Sequence, residues 1–201
     1  MSRPDFTSES VGDLFRHPPV ITTERLILRS FLARDAEDMY EYASRPDVVR
    51  YLKWEAHSSL YETKYRLGLI AREYKKGRFY DWAVVLRGER GDEGKMIDSC
   101  GFTSFDISNR SAEIGYVINP AYAGRGYATE AVCRVLRFAF CELGLHRVEA
   151  RYATGNAASR RVMEKCGMRF EGVLREAAVI RGEPVDVGIC SILSREFLSR
   201  T

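Results

Sequence analysis

The residues whose types and spacing could do chemistry begin with the run Asn119-Pro120-Ala121-Tyr122-Ala123-Gly124-Arg125-Gly126-Tyr127-Ala128-Thr129-Glu130-Ala131. A short β-rich segment, residues 112–118, precedes it, and an apolar-periodic stretch follows to Leu143. The order predicts strand, glycine-bearing loop and helix. Gly124 and Gly126 admit positive φ and let the backbone come close to another molecule. The helix that follows opens with unsatisfied N–H groups and the positive end of its dipole. Loop and helix together make a phosphate cradle. Two phosphate motifs are excluded by spacing. No Gly-Lys-Ser or Gly-Lys-Thr occurs, which removes the P-loop. Gly124-x-Gly126-x-Ala128 also differs from the G-x-G-x-x-G of dinucleotide-binding units. Taken alone, the loop fits a glycine turn that only caps a helix equally well.

A second run, Asn156-Ala157-Ala158-Ser159-Arg160-Arg161-Val162-Met163-Glu164-Lys165-Cys166-Gly167-Met168, has a good N-cap in Asn156 and a C-cap in Gly167. Alone, it is an ordinary well-capped helix. Cys100, Cys133, Cys141, Cys166 and Cys190 are scattered, odd in number and form no C-x-x-C. They read as reduced core residues. His17, His57 and His146 lack metal-ligand spacing, so no metal is expected.

The elements that must position these residues follow from periodicity. Residues 1–19 read as a polar N-terminal arm, ordered only if docked, and 20–198 as one domain. Leu26 and Leu28 alternate with outward positions in a first strand. Residues 35–44 make a short helix with Met39, Tyr40 and Ala43 on one face, stopped by Pro46. A longer helix spans 58–75, with Ser59 and Glu62 as a capping box. Tyr61, Tyr65, Leu69 and Arg72 share one of its faces, and core packing is the simplest reading of its aromatics. Residues 79–86, 95–106 and 111–118 form an antiparallel meander. A helix over 126–144 carries Val132, Val135, Leu136, Ala139 and Leu143 towards a sheet. A strand over 147–154 then lies parallel to 111–118 by the crossover rule.

Composition narrows the class. The chain has 201 residues, 45% of them hydrophobic, enough for one domain with a full core. A formal net charge of +3 is too weak to argue for nucleic acid. No apolar run is long enough to span a bilayer, and the first residues lack the apolar core of a signal peptide. A cytoplasmic protein is therefore expected, without nucleic-acid or membrane partners.

The run Arg125-Gly126-Tyr127-Ala128-Thr129-Glu130-Ala131 resembles the acyl-CoA pyrophosphate loop of the GNAT N-acetyltransferases, Q/R-x-x-G-x-G/A. Gly126 and Ala128 match; Ala123 stands where Gln or Arg is usual. Residues 156–168 are similar to the family's second acyl-CoA motif, N-x-x-[SA]-x-x-x-[MY]-E-K-x-G-[FM]. Thr23-Glu24-Arg25-Leu26-Ile27-Leu28-Arg29 looks like the opening strand of the RimJ/RimL branch. Phe170-Glu171-Gly172-Val173-Leu174-Arg175-Glu176, with Gly182 and Asp186, looks like its closing hairpin, with Cys190 where that branch often has an aromatic. Motifs in this order over residues 20–198 are more specific than any one alone.

The resemblance implies an α+β fold (an α/β sandwich): a mixed, mostly antiparallel central sheet with a parallel pair at the acyl-CoA site, flanked by helices. It implies acetyl-CoA as co-substrate and direct attack by an amine in a ternary complex. The acceptor it suggests is a protein N-terminal α-amine of the ribosomal-protein type. A small amine such as a polyamine or antibiotic is the alternative, and a non-catalytic acyl-CoA-binding module a third reading. Backbone groups of Tyr116, Val117 and Ile118 would pair with the pantetheine arm. Amides of Arg125, Gly126, Tyr127, Ala128 and Thr129 would hold the pyrophosphate, Arg125 and Arg160 would add charge, and Asn156 would bond the pantetheine arm. Glu113 is a candidate base through water, or an outward surface carboxylate; Glu176 is a second candidate. The position of the family's frequent thiolate-protonating Tyr is Met163, which has no proton to donate. Ser159 stands in for it, or else only supports the helix start. Residues 51–60 fall in the region that determines the acceptor. A homodimer is open.

Overall fold

The computed structural model describes residues 6–199. Its strands carry apolar side chains on both faces because helices cover both faces. In β3 (Tyr80–Arg87), Trp82 and Val84 enter one core while Ala83 and Val85 enter the other. The remaining strands are β1 (Ile21–Thr22), β2 (Leu26–Arg29), β4 (Glu93–Asp106), β5 (Ser111–Ile118), β6 (Arg147–Ala153), β7 (Arg169–Ile180) and β8 (Glu183–Leu193). They form one sheet in the order β1-β2-β3-β4-β5-β6-β8-β7. Every pairing is antiparallel except β5 with β6. The fold is the mixed α+β sandwich expected.

One face is covered by α1 (Ser8–Arg16), α5 (Tyr127–Arg137) and α6 (Ala157–Lys165), the other by α2 (Ala36–Ala43) and α4 (Leu60–Lys75). Two short helices, α3 (Pro46–Val49) and α7 (Ser194–Leu198), complete the set. The N-terminal arm is docked: Val11 and Phe15 are buried, with the Phe15 ring 5.0 Å from Trp82 and 5.2 Å from Tyr80. Along α5 and the π-type turn that extends it (Phe138–Glu142), Val132, Val135, Leu136 and Ala139 are fully buried, as their spacing predicts.

Four expectations change. In α4, Tyr61 and Tyr65 are 79% and 56% exposed, and the inward face is Thr63, Leu67, Ile70 and Tyr74. Helical spacing admits both stripes. The second wins because it meets α2 and the sheet, where the His57 ring nitrogen Nδ1 lies 2.8 Å from Thr63 Oγ1. The N-cap is Ser59, but Glu62 reaches back to the N–H of Ser58, not that of Ser59. In α2 it is Tyr42, not Tyr40, that joins Met39 and Ala43 in the core. Of the cysteines, Cys100, Cys166 and Cys190 are buried, Cys133 is half-buried and Cys141 is exposed, since it lies on the outer side of the turn after α5. Among the described residues no helix is long and apolar enough to cross a membrane.

The feature that positions the site is a short pairing. β5 and β6 run together only from Ser111 to Ile114, against Arg147 to Ala150. Beyond that, residues 115–118 stay with β4 while 151–153 stay with β8. The two strands part, and the sheet opens between them.

Candidate active site

The glycine loop takes the expected form. Gly124 and Gly126 have φ of 77° and 83°, and α5 starts at Tyr127 from the N-cap Gly126, which offers no side chain to the first amides. The loop forms one wall of a groove of about 520 Å³. Gly126, Tyr127, Ala128 and Thr129 line it from α5, and Ala158, Arg161, Val162 and Lys165 from α6. Free amides at a helix start, side-chain-free glycines and two cations opposite them suit a diphosphate, so the residues fit the phosphate portion of acetyl-CoA. Of the two expected cations, Arg160 points elsewhere. Arg160 pairs with Glu164 at 2.8 Å and lies 4.8 Å from the Phe170 ring. It sits on the outer stripe of α6, whereas 158, 161, 162 and 165 share the groove side. The Arg125 guanidinium lies over the Tyr122 ring at 5.6 Å, and Tyr122 itself lines the groove.

The loop is held from a distance. Arg25, in the turn between β1 and β2, donates Nη1 to the Arg125 carbonyl at 3.1 Å and Nε to Glu130 at 2.7 Å. Its guanidinium also stacks 4.6 Å from the Tyr127 ring. Thr23 Oγ1 donates to the same Glu130 carboxylate at 2.5 Å. Burial pushes the Glu130 carboxyl up, but these bonds outweigh it and hold the group below its ordinary value.

Where β5 leaves β6, a second cavity of about 510 Å³ crosses the sheet. It shares Tyr51, Leu52, Tyr116, Val117, Asn156 and Ser159 with the phosphate groove. The structure brings Tyr116 and Ser159 together: the phenol oxygen lies 2.7 Å from the Ser159 carbonyl and 2.9 Å from its hydroxyl. Burial pushes the Tyr116 phenol well above its ordinary value, against the opposing effect of the Ser159 bond, so the pair stays protonated at neutral pH. Asn156 Oδ1 accepts from the Ser159 amide at 3.1 Å, which caps α6. From the sequence, Tyr116 was expected only as a backbone partner. Its side chain faces the same junction as Ser159, and the aromatic-rich stretch 116–127 was the only signal.

Glu113 lines the cavity, ion-paired to Arg151 at 3.3 Å. Glu176 does not. A bulge between Leu174 and Ala178 gives Glu176 a φ of 49° and leaves it exposed, while its neighbours Ala177 and Ala178 face the cavity. Of the stretch 51–60, Tyr51, Leu52 and Lys53 line the cavity. Arg181, at the β7–β8 turn, donates to the carbonyls of Val49 and Arg50 at 3.0 and 3.1 Å and ties the hairpin to this wall. Sequence reasoning missed Asp81 and Ser99, which also line the cavity. Burial pushes the Asp81 carboxyl up to about 7, against hydrogen bonds from the Trp82 amide and the Ser99 side chain. Its signal was a lone carboxylate in the apolar strand Tyr80-Asp81-Trp82-Ala83-Val84-Val85.

Comparison with known proteins agrees with this geometry. The acetyltransferase (GNAT) domain model matches residues 25–169. The N-acetyltransferase YoaA of Bacillus subtilis, itself uncharacterized, is 35% identical over 87% of this chain and 97% of its own. The spermidine N(1)-acetyltransferase of Vibrio cholerae is 34% identical over 88% of this chain and 98% of its own. The crystal structure of a GNAT-family acetyltransferase from Bacillus anthracis superposes with a TM-score of 0.77 at 32% identity, covering 89% of this chain and all of that one. A phosphate cradle opening onto a parted parallel strand pair, and relatives that match nearly end to end, have one explanation: this chain belongs to the GNAT acetyltransferase family.

Proposed function

We propose that this acetyl-CoA-dependent N-acetyltransferase passes the acetyl group directly to a small primary amine held in the cavity between β5 and β6. The observation that carries the reading is the shared wall. Tyr116, Val117, Asn156 and Ser159 border both the phosphate groove and the cavity, so donor and acceptor meet at one point. Acetyl-CoA supplies the activated acyl group as a thioester. The amides of residues 126–129 receive its phosphates, with Arg161 and Lys165 adding charge. Backbone groups of Tyr116, Val117 and Ile118, unpaired on the side where β6 has left, bond the pantetheine arm. Tyr116 and Ser159 donate a proton or hydrogen bond as charge develops on the leaving sulfur. Glu113, ion-paired to Arg151 at the cavity wall, takes the amine proton through water.

The small-amine reading is favoured by the walls. Tyr51, Lys53, Ala177, Ile180 and Val185 narrow the acceptor side to a pocket. A near-full-length relative carries the name of a spermidine acetyltransferase. Transfer to a protein N-terminal α-amine is the second reading. It rests on the RimJ/RimL-like motifs and on an α-amine being substantially neutral near pH 8, so that no strong base is needed. Thiol release from acetyl-CoA, measured over a panel of diamines, amine-bearing antibiotics and peptides with free N-termini, tests both. Turnover with small amines is expected. Acetylation confined to peptide α-amines would shift the conclusion to the second reading, and no release with any of these amines would leave only an acyl-CoA-binding module.

A further inference from the structure

Asp81 does not stand alone in the sheet. In register, Asp81 lies opposite Gly101 of β4, and Gly101 lies opposite Gly115 of β5. Residues paired across strands point to the same face, so this row carries one carboxylate and then two positions without side chains. The glycines are required. A Cβ on Gly101 would fall 2.3 Å from Asp81 Cα and 2.7 Å from its Oδ1, and one on Gly115 would fall 2.9 Å from Thr103 Cγ2. The row is a shallow trough that opens at the gap beside β5, where the acetyl group is delivered, and the Asp81 carboxylate leans into it as far as Gly101. From the middle of the gap to Gly101 is about one and a half strand spacings, roughly 7 Å.

The end of the trough is acidic and uncompensated. Asp81 Oδ1 accepts from the Trp82 amide at 2.9 Å, and no cation among the described residues pairs with its carboxylate. Arg151, on the cavity wall, is engaged by Glu113 and Glu149. A carboxylate in such a place is costly unless a cation meets it.

We propose that Asp81 is an acceptor-recognition residue that binds a second cationic group of the substrate, which makes the preferred acceptors aliphatic diamines and polyamines with three or four methylenes between nitrogens. This rests on the small-amine reading above. The lengths agree. Such nitrogens lie roughly 5–6 Å apart given single bonds of about 1.5 Å, and a charged hydrogen bond adds about 2.8 Å. A molecule of that span reaches from the strand gap to Asp81. The same span leaves Asp81 too far to remove a proton from the reacting nitrogen directly.

A pH dependence follows. The groups facing Asp81 are Asp98 of β4, Tyr74 of α4, Tyr42 of α2, and Lys53, Glu113 and Arg151 around the cavity. Asp81 has a carboxyl near 7, so diamine binding strengthens as pH rises from 6 to 8. The Asn variant lacks this rise.

The test is steady-state kinetics of wild type, Asp81→Asn and Asp81→Glu with 1,4-diaminobutane and with 1-aminopentane, its single-charge counterpart. Wild type is expected to favour the diamine roughly 10- to 100-fold in kcat/KM, as a charged hydrogen bond allows. Asp81→Asn should erase that preference through KM, while kcat/KM for 1-aminopentane, which has no second charge to lose, changes far less than that for the diamine. Asp81→Glu, longer by one methylene, should keep the preference and move it to 1,3-diaminopropane. An unchanged melting shift with acetyl-CoA checks that each variant is folded. A diamine preference that survives Asp81→Asn, or is absent in wild type, overturns the proposal while monoamine transfer continues. No thiol release from wild type with any amine overturns the proposed function itself, and this inference with it.

Discussion

Tyr116 and Ser159 form one hydroxyl pair, so their variants should not behave independently. Ser159→Ala is expected to lower kcat roughly 10- to 100-fold with little change in acetyl-CoA affinity, because a partner of the leaving sulfur acts as charge develops there. Tyr116→Phe should do the same, and the double variant should cost less than the sum of the two. Single-turnover rates with titrated acetyl-CoA decide this; additive losses would separate the two groups. The acid Asp81 carries a stability prediction. Its ordinary carboxyl value is 3.8 and its folded value about 7. Between these the folded chain holds a proton that the unfolded chain has lost, so its contribution falls as pH rises through that window and levels off above it. Buried Asp98, whose Oδ2 has no partner, pushes in the same direction. The melting temperature of Asp81→Asn should therefore gain on that of wild type from pH 4 to pH 8. Parallel melting curves across that range would refute this. Glu113 and Asp81 show how differently single residues declare themselves. Glu113 was visible beside the motif, whereas Asp81 looked like a strand residue until β4 and β5 were laid next to it.

At the scale of elements, the turn between β1 and β2 acts on the start of α5. Arg25 and Glu130 are 105 residues apart in the chain, yet their pairing fixes the loop whose amides face the phosphate groove. Arg25→Ala and Glu130→Gln are each expected to raise KM for acetyl-CoA several-fold to about tenfold with kcat nearly unchanged, and the pair to be coupled. Arg25→Lys should not restore the wild-type value, since it loses the fork that reaches Glu130 and the Arg125 carbonyl together. Equal effects on acceptor KM would argue against a clamp on the cofactor side. Gly126→Val tests the cradle itself. At φ of 83° a β-branched residue is strained, and the melting shift given by acetyl-CoA should shrink. The helix α4 marks the limit of periodicity. Its sequence supports two stripes, and the one with the tyrosines is the more conspicuous. Only contact with α2 and the sheet selects Leu67, Ile70 and Tyr74.

At the scale of the molecule, both faces of an eight-stranded sheet are covered, and the first helix belongs to one of the covers. Phe15 is fully buried against Trp82 and Tyr80. Phe15→Ala should destabilise by about 3–5 kcal/mol, and removal of residues 1–19 should lower the melting temperature by at least as much as that substitution. An unchanged denaturant midpoint after truncation would show that the arm is dispensable. The sequence by itself determined the features whose causes are local. Gly124 and Gly126 require their turn, Asn156 caps its own helix, the meander alternates at period two, and the stretch between β5 and β6 is long enough to force a parallel crossover. Each of these depends on residues within a few positions of one another, or on the length of one connection. Only the tertiary structure decided the rest. It placed Arg25 on Glu130, Tyr116 on Ser159 and Asp81 at the end of two glycines, and it turned Arg160 and Glu176 away from the site. These outcomes depend on strand register and on which helix face finds the sheet. Residues tens of positions apart set both, through contacts that no local pattern encodes.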